Sequence, residues 1–280
     1  MKIKVLVWLV FLVCTLSIKA QENLCVDFNL KNEPTEEITF NEVNSFISVS
    51  KKLNDKNEIT NKLEYTNLTI KYVARAYESF ENLNQFNRIQ NEFKISHKVS
   101  DATKLNLVIT PTINFQQNLG ISDASVLGSF QLNQQLNSKI ALNIGFERST
   151  VFGSPKFIPT ISFSGKINNQ SSLMIGFPDS KFTYSNNERN KFSLSNSYNG
   201  SFYNLDESVA LYTTAVKIST SQMTTALEYE RNMDKNWFIN FKAGYDFDKK
   251  YNLLDENNHK LYDFNTGNGY ILSIGIKYKQ

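Results

Sequence analysis

The chain has 280 residues, with 30 basic and 27 acidic side chains, 21 Phe, 13 Tyr and two Cys. Its surplus of three positive charges sits entirely in the first 20 residues, so the remainder is neutral and offers no electrostatic case for nucleic acid. Cys14 lies in that leader and leaves Cys25 alone, which excludes an internal disulfide, and no apolar run of ~18 residues follows to make a spanning helix.

The leader has the three parts of an export signal: Lys2 and Lys4, the apolar run Val5 to Val13, and the short polar end Ser17-Ile18-Lys19-Ala20. Cleavage is expected after Ala20, giving a signal peptide over 1–20 and one unbroken unit over 21–280. A lipid anchor at Cys14 is the alternative, against which Val13 is bulky where such sites carry small residues.

Side chains of an extended strand alternate faces, so each later stretch presents two. Asn23 to Lys31 reads as a weak strand and Asn32 to Asn41 as a polar loop. Val43, Ile47 and Val49 mark a second strand, closed by the charged turn Asn54-Asp55-Lys56-Asn57. Within Leu63 to Tyr77, Leu68, Ile70, Tyr72 and Ala74 share one face, while Thr69, Lys71 and Arg75 share the other. Leu63 and Tyr65 are out of phase with that set, which predicts a bulge near Thr66 or Asn67. Phe93, Ile95 and Val99 oppose Gln90, Glu92, Lys94 and Lys98, and the turn Ser100-Asp101-Ala102-Thr103 leads into Leu105, Leu107, Ile109, Pro111, Ile113 and Phe115. Val126 to Leu136, Ile140 to Phe146 and Phe157 to Ile167 repeat the alternation. The phase of Leu173, Ile175 and Phe177 switches before Phe182 and Tyr184, which predicts a second bulge at Pro178-Asp179. Phe192, Leu194, Tyr198 and Phe202 face away from the serines at 193, 195, 197 and 201; Ser208 to Ser219 is strand-like without a clear phase. Met223, Leu227 and Tyr229 then oppose Thr224, Glu228 and Glu230. Trp237 to Phe247 alternates against Asn240, Lys242, Gly244 and Asp246. The closing stretch GYILSIGIKYK, Gly269 to Lys279, puts Tyr270, Leu272, Ile274, Ile276 and Tyr278 on one side, with aromatics at both ends.

Such staves predict an all-β fold, a closed antiparallel transmembrane β-barrel of about 14 strands with 12 as the alternative. Aromatic residues flanking aliphatic ones match the girdles of a lipid-facing band. Ser100 to Thr103, Asn137 to Ser138, Asn168 to Ser171 and Met233 to Asn236 are short connections; Gln116 to Asp123, Ser149 to Pro155 and Lys249 to Asn268 are long. That alternation fits an outer membrane with short periplasmic turns and long outer loops. Hydrocarbon offers no water to an unpaired backbone group, so a sheet within it must close on itself.

The segment Leu173 to Phe192, with IGFPDSKFTYSNNERNKF, resembles the central signature of an uncharacterised outer-membrane β-barrel family of Gram-negative bacteria, known as a domain of unknown function. LLDENNHKLYDFNTGNGYILSIGIKYK from Leu253 resembles that family's last loop and strand, and Leu53 to Tyr72, with LEYTNLTIKY, its early part. The resemblance implies an outer-membrane barrel and brings no activity with it.

The inward face is expected to carry Lys71, Arg75, Glu92, Lys94, Lys98, Glu147, Lys166, Glu228, Glu230, Lys242, Asp246 and Lys277. These lumen-lining candidates are of mixed sign, so they read either as cross-strand pairs that satisfy one another or as a lining for small solutes without strong ion preference. His97 falls on the outward face near a short turn, with no Ser and Asp arrangement to orient it. His259 shares a long loop with Asp255, Glu256 and Asp263, whose oxygens suit calcium but whose spacing fits no calcium loop, so they read as solvated surface. Glu228 and Glu230 belong to a merely alternating strand rather than to an acid and base pair. No catalytic, metal or cofactor site is expected. The chain reads as a passive pore or a structural or surface-display element. The alternatives are an outer-membrane lipid-modifying enzyme and a soluble periplasmic β-protein that binds an apolar ligand. Outer-membrane lipid and the barrel-assembly machinery are the expected partners.

Overall fold

The computed structural model describes residues 23–206 and 212–280; the expected leader over 1–20 and the first part of the Ser208–Ser219 stretch lie outside them. The strands are β1 (Asn23–Pro34), β2 (Ile38–Lys52), β3 (Asn57–Tyr72), β4 (Gln85–Lys98), β5 (Thr103–Phe115), β6 (Ala124–Gln135), β7 (Ile140–Ser149) and β8 (Lys156–Lys166). After them come β9 (Ser171–Phe177), β10 (Asp179–Ser185), β11 (Asn190–Asn204), β12 (Lys217–Asp234), β13 (Trp237–Leu254), β14 (Lys260–Asp263) and β15 (Gly269–Lys279). All pair antiparallel, and all but β14 form one closed ring of 14 staves. Among the described residues β14 pairs only with the far end of β13.

The ring closes between β1 and β15, in register from Cys25–Lys279 to Asn32–Leu272. Closure removes both edges of the sheet, where each unpaired N–H or C=O would cost about 2–7 kcal/mol in hydrocarbon. On the inner side of this seam the Asn29 amide donates to Asn240 Oδ1 at 3.3 Å, passing over Gly275, and Ser273 Oγ donates to Asn29 Oδ1 at 2.7 Å.

The outer face is the apolar one: Phe93, Ile144, Phe163 and Phe241 remain 43–51% exposed, and Leu142 lies beside Phe163 on the same side. Serines, threonines and asparagines face inward, where Asn143 donates to Ser162 Oγ at 3.1 Å and Ser193 and Ser195 are buried. Aromatic pairs bracket the outer belt on β13 and β15. Trp237 meets Tyr278 at 5.2 Å near one rim and Tyr245 meets Tyr270 at 5.4 Å near the other, roughly 26 Å of strand apart at ~3.3 Å per residue. That spacing suits a tilted stave crossing an apolar layer about 25 Å thick.

One rim carries the short turns and both ends of the described barrel. Four of its turns repeat one device, in which Asn54, Asn137, Asn168 or Asn187 accepts from the main-chain N–H groups two and three residues on, at 2.7–3.0 Å. An asparagine side chain here mimics the backbone of a turn, which reverses the chain in very few residues. The opposite rim carries the long connections, including a 3-10 helix at Arg75–Phe80.

Three expectations of phase and strand count change, besides the expected polar loop Asn32 to Asn41, of which only residues 35–37 connect β1 to β2. β3 pairs with β2 and β4 without interruption, so the bulge expected near Thr66 or Asn67 is absent and the phase of Leu63 and Tyr65 holds to the end of the strand. Pro178 is a reversal rather than a bulge: β9 and β10 form a stunted hairpin in which the Gly176 N–H donates to Ser180 Oγ at 3.0 Å. The end of the Ser208–Ser219 stretch and the Met223–Tyr229 stretch are one long strand, β12. The second and third changes offset each other, so the stave count stays at 14.

Candidate functional site

The lumen is where polar chemistry gathers, because every second residue of each stave points there. Glu228 of β12 stands between two lysines: it pairs with Lys181 of β10, and Lys242 of β13 lies 3.6 Å from it. Ser195 Oγ donates to the same carboxylate at 3.1 Å. Nearer the short-turn rim, Lys277 lies 3.1 Å from Glu230 and 3.5 Å from Asp27. The three carboxylates and three lysines border a cavity of ≈ 300 Å³. On the facing arc Glu92, Lys94 and Glu147, with Lys62 and Glu64, border another of ≈ 470 Å³. Glu64, Glu228 and Glu230 each meet a lysine or arginine, so these pairs offset one another's desolvation and brace the wall rather than setting up a field of one sign.

Toward the long-loop rim the charges are buried. Lys249 Nζ lies 2.8 Å from Glu33 and 3.3 Å from Asp246, with its side chain 1% exposed. Gln222 donates to Glu33 at 3.0 Å, Thr224 to Asp246 at 2.6 Å, and Lys31 lies 3.1 Å from Glu33. A bulge delivers Lys249 to this cluster. Asp248, at φ 49°, is an extra residue against β12, and beyond it the phase of β13 inverts. Tyr251 and Leu253 therefore point inward with Lys249, although an unbroken alternation would send them outward.

Those residues help to cap the barrel. Inward side chains of β2, β3 and β4 meet those of β11, β12 and β13 from the opposite arc in one apolar cluster, completed by Tyr77, Phe80 and Leu83 of the β3–β4 connection and Phe264 after β14. Tyr251 stacks on Phe264 at 4.2 Å, Phe80 meets Phe264 edge-on at 4.9 Å, and the hydroxyls of Tyr72 and Tyr251 are 2.7 Å apart. The Tyr77 hydroxyl donates to the Phe264 carbonyl, and burial pushes that phenol above its ordinary range. Beside the cap the end of β11 leans across the lumen. Arg88 Nη1 donates to Ser201 Oγ at 2.9 Å, Phe86 packs on Tyr203 at 5.3 Å, and the Asn204 amide donates to Asp123 at 3.0 Å. The long-loop end of the lumen is thus packed like a protein interior, while the short-turn end holds the polar cavities.

Residues 27–279 match the family model of DUF6268, a domain of unknown function. The chain belongs to the DUF6268 family. No curated protein matches it. Among solved structures, the DUF6268 barrel is similar to an outer membrane channel from Pseudomonas putida F1, at 7% identity over 94% of this chain and 97% of that one, with a TM-score of 0.48. It is also similar to a Pseudomonas aeruginosa FadL homologue, at 8% identity over 92% and 89% with a TM-score of 0.46. The NanC porin matches at 9% identity over 91% and 100% with a TM-score of 0.41.

In this DUF6268 barrel Glu92, Lys94, Glu147, Glu228, Glu230, Lys242, Asp246 and Lys277 lie on inward positions, and Lys166 does so at the exposed short-turn rim. Lys71 and Arg75 do not line the lumen. With no bulge in β3, Leu68 and Ile70 turn inward to the cap, Lys71 falls on the outer face opposite Thr39, and Arg75 is exposed on the 3-10 helix. His97 Nδ1 is 2.8 Å from Asn57 Oδ1 at the short-turn rim, and His259 bonds Asp255 at the other, so the two imidazoles are a barrel length apart. The His259 main-chain N–H is the main reason that the Asp255 carboxyl sits below its ordinary range. Tyr251 and Phe264 escaped the sequence reading because both lie in the Lys249–Asn268 stretch, read as solvated loop. The one available signal was aromatic density, with Tyr251, Tyr262 and Phe264 close together among polar residues.

Proposed function

We propose that the protein is an outer-membrane β-barrel, with its short turns in the periplasm, that serves as a structural or surface element and is closed in its resting state. The observation that carries this reading is the apolar cap, in which side chains from opposite arcs pack together across the long-loop end. Ions cross membranes through wet paths, and a mouth filled with close-packed aromatic rings holds no water to carry them. The export leader, the apolar belt and the alternation of short and long connections support the location and orientation. On this reading the barrel is neither a passive pore nor an enzyme; its partners are the outer-membrane lipid around the belt and the machinery that assembles barrels. Planar bilayers test it: the purified protein is expected to insert without steady conductance steps. A persistently open wild-type channel would return the pore to first place.

A further inference from the structure

The outer wall is not convex all the way round. A groove of ≈ 1040 Å³ crosses seven neighbouring staves, β2, β1, β15, β13, β12, β11 and β10. On six of them its lining takes an outward residue, the inward one between, and the next outward one, as in Leu227-Glu228-Tyr229 and Phe241-Lys242-Ala243. The groove therefore lies on the outer side and reaches the inward residues from behind. The lumen cavity shows the reverse order, as in Glu228-Tyr229-Glu230. At the long-loop end of the same arc β11 leans toward β4, held by the Arg88–Ser201 and Phe86–Tyr203 contacts.

The groove is apolar, with Leu227 66% and Leu272 54% exposed, and its floor is lowered at Ala243, which pairs with both. The rings of Phe192, Tyr229 and Phe241 run in a row along it, at 4.9 and 6.4 Å. Two residues past Tyr229 on the same outward face, Arg231 is exposed just inside the Trp237–Tyr278 pair, at the level where headgroups meet hydrocarbon.

We propose that this groove is a binding site for one glycerophospholipid of the leaflet at the short-turn rim, with acyl chains against Leu227, Phe241 and Leu272 and the phosphate on Arg231. The inference takes the membrane-spanning barrel as given. A concavity within a bilayer is filled by hydrocarbon, because an empty one forfeits dispersion contacts and a wet one sets water against apolar walls. The guanidinium fork matches phosphate oxygens and fixes which end of the lipid lies at the rim.

The test is native mass spectrometry of the full-length protein released from detergent, with retained phospholipid read as an added mass. Ala243→Trp fills the floor, Arg231→Gln removes the phosphate partner, and Ile144→Trp on the outer face of β7 is the control outside the groove. Wild type and I144W are expected to retain phospholipid; A243W should lose about tenfold of it, and R231Q should lose about tenfold while still retaining diacylglycerol. The site is overturned if wild type retains none, if I144W loses as much as A243W, or if the groove variants instead dissociate a dimer. Heat-dependent gel migration separates two failures. A wild type that does not shift sinks barrel and groove together, whereas one that shifts but carries no lipid sinks the groove alone.

Discussion

Lys249 shows how much one side chain can hold. It is flanked by Glu33 and Asp246 in a site almost closed to solvent, so removing its charge takes the cation from Asp246 and leaves Glu33 with Lys31 alone. Lys249→Met is expected to cost about 3–5 kcal/mol in urea unfolding from detergent micelles, and the double variant with Glu33→Gln should recover part of that loss. Gly244 is decisive for another reason. A Cβ there would fall 2.3 Å from the Thr225 carbonyl oxygen, closer than real contacts allow, so β12 would have to move. Gly244→Val should lower stability by about 1–3 kcal/mol in the same assay, while Gly165→Val, whose added Cβ would meet nothing closer than 3.6 Å, should cost less. Alternation alone places Gly244 on the inner face; that β12 passes so close to it is a property of the assembled wall.

At the scale of elements, strands and turns were legible wherever a local rule acted by itself. The asparagines at 54, 137 and 168 turn the chain through bonds to their own near neighbours, so their work is written within four residues, and Asn187 does the same at a turn that is not among the expected ones. Asn168→Ala should remove two such bonds and cost about 1 kcal/mol, measured as the shift in urea midpoint. Phase was legible only while alternation ran unbroken. Alternation sends Lys71 inward if Leu68, Ile70 and Tyr72 form a lipid face, yet those three point into the cap, and apolar residues on either side of the wall give the same pattern. Asp248 deceives in the opposite sense, since one extra residue sends Lys249, Tyr251 and Leu253 inward without any compositional mark. The Pro178 reversal also escaped notice, because a proline between two apolar pairs reads equally as a bulge or as a turn.

For the whole molecule the cap sets the outcome. Phe80 and Phe264 meet Tyr251 and Tyr262 through stacked and edge-on rings, and the cluster spans the two arcs of the barrel. Replacing both Phe80 and Phe264 by Ser should loosen it, with discrete conductance steps in planar bilayers as the expected result and retained heat-dependent migration as the check on folding. A double variant that stays ion-tight while folded would show that the lean of β11 closes the lumen without these rings.

The sequence by itself determined the all-β architecture, the outward belt and most of the inward charges, because alternation and turn chemistry act between residues a few places apart. Only the tertiary structure decided that the lumen is capped and its wall indented. The cap depends on side chains of β2–β4 meeting those of β11–β13 across the ring, and the groove on seven staves brought side by side; such contacts between residues far apart in the chain exist only once the first and last staves have paired.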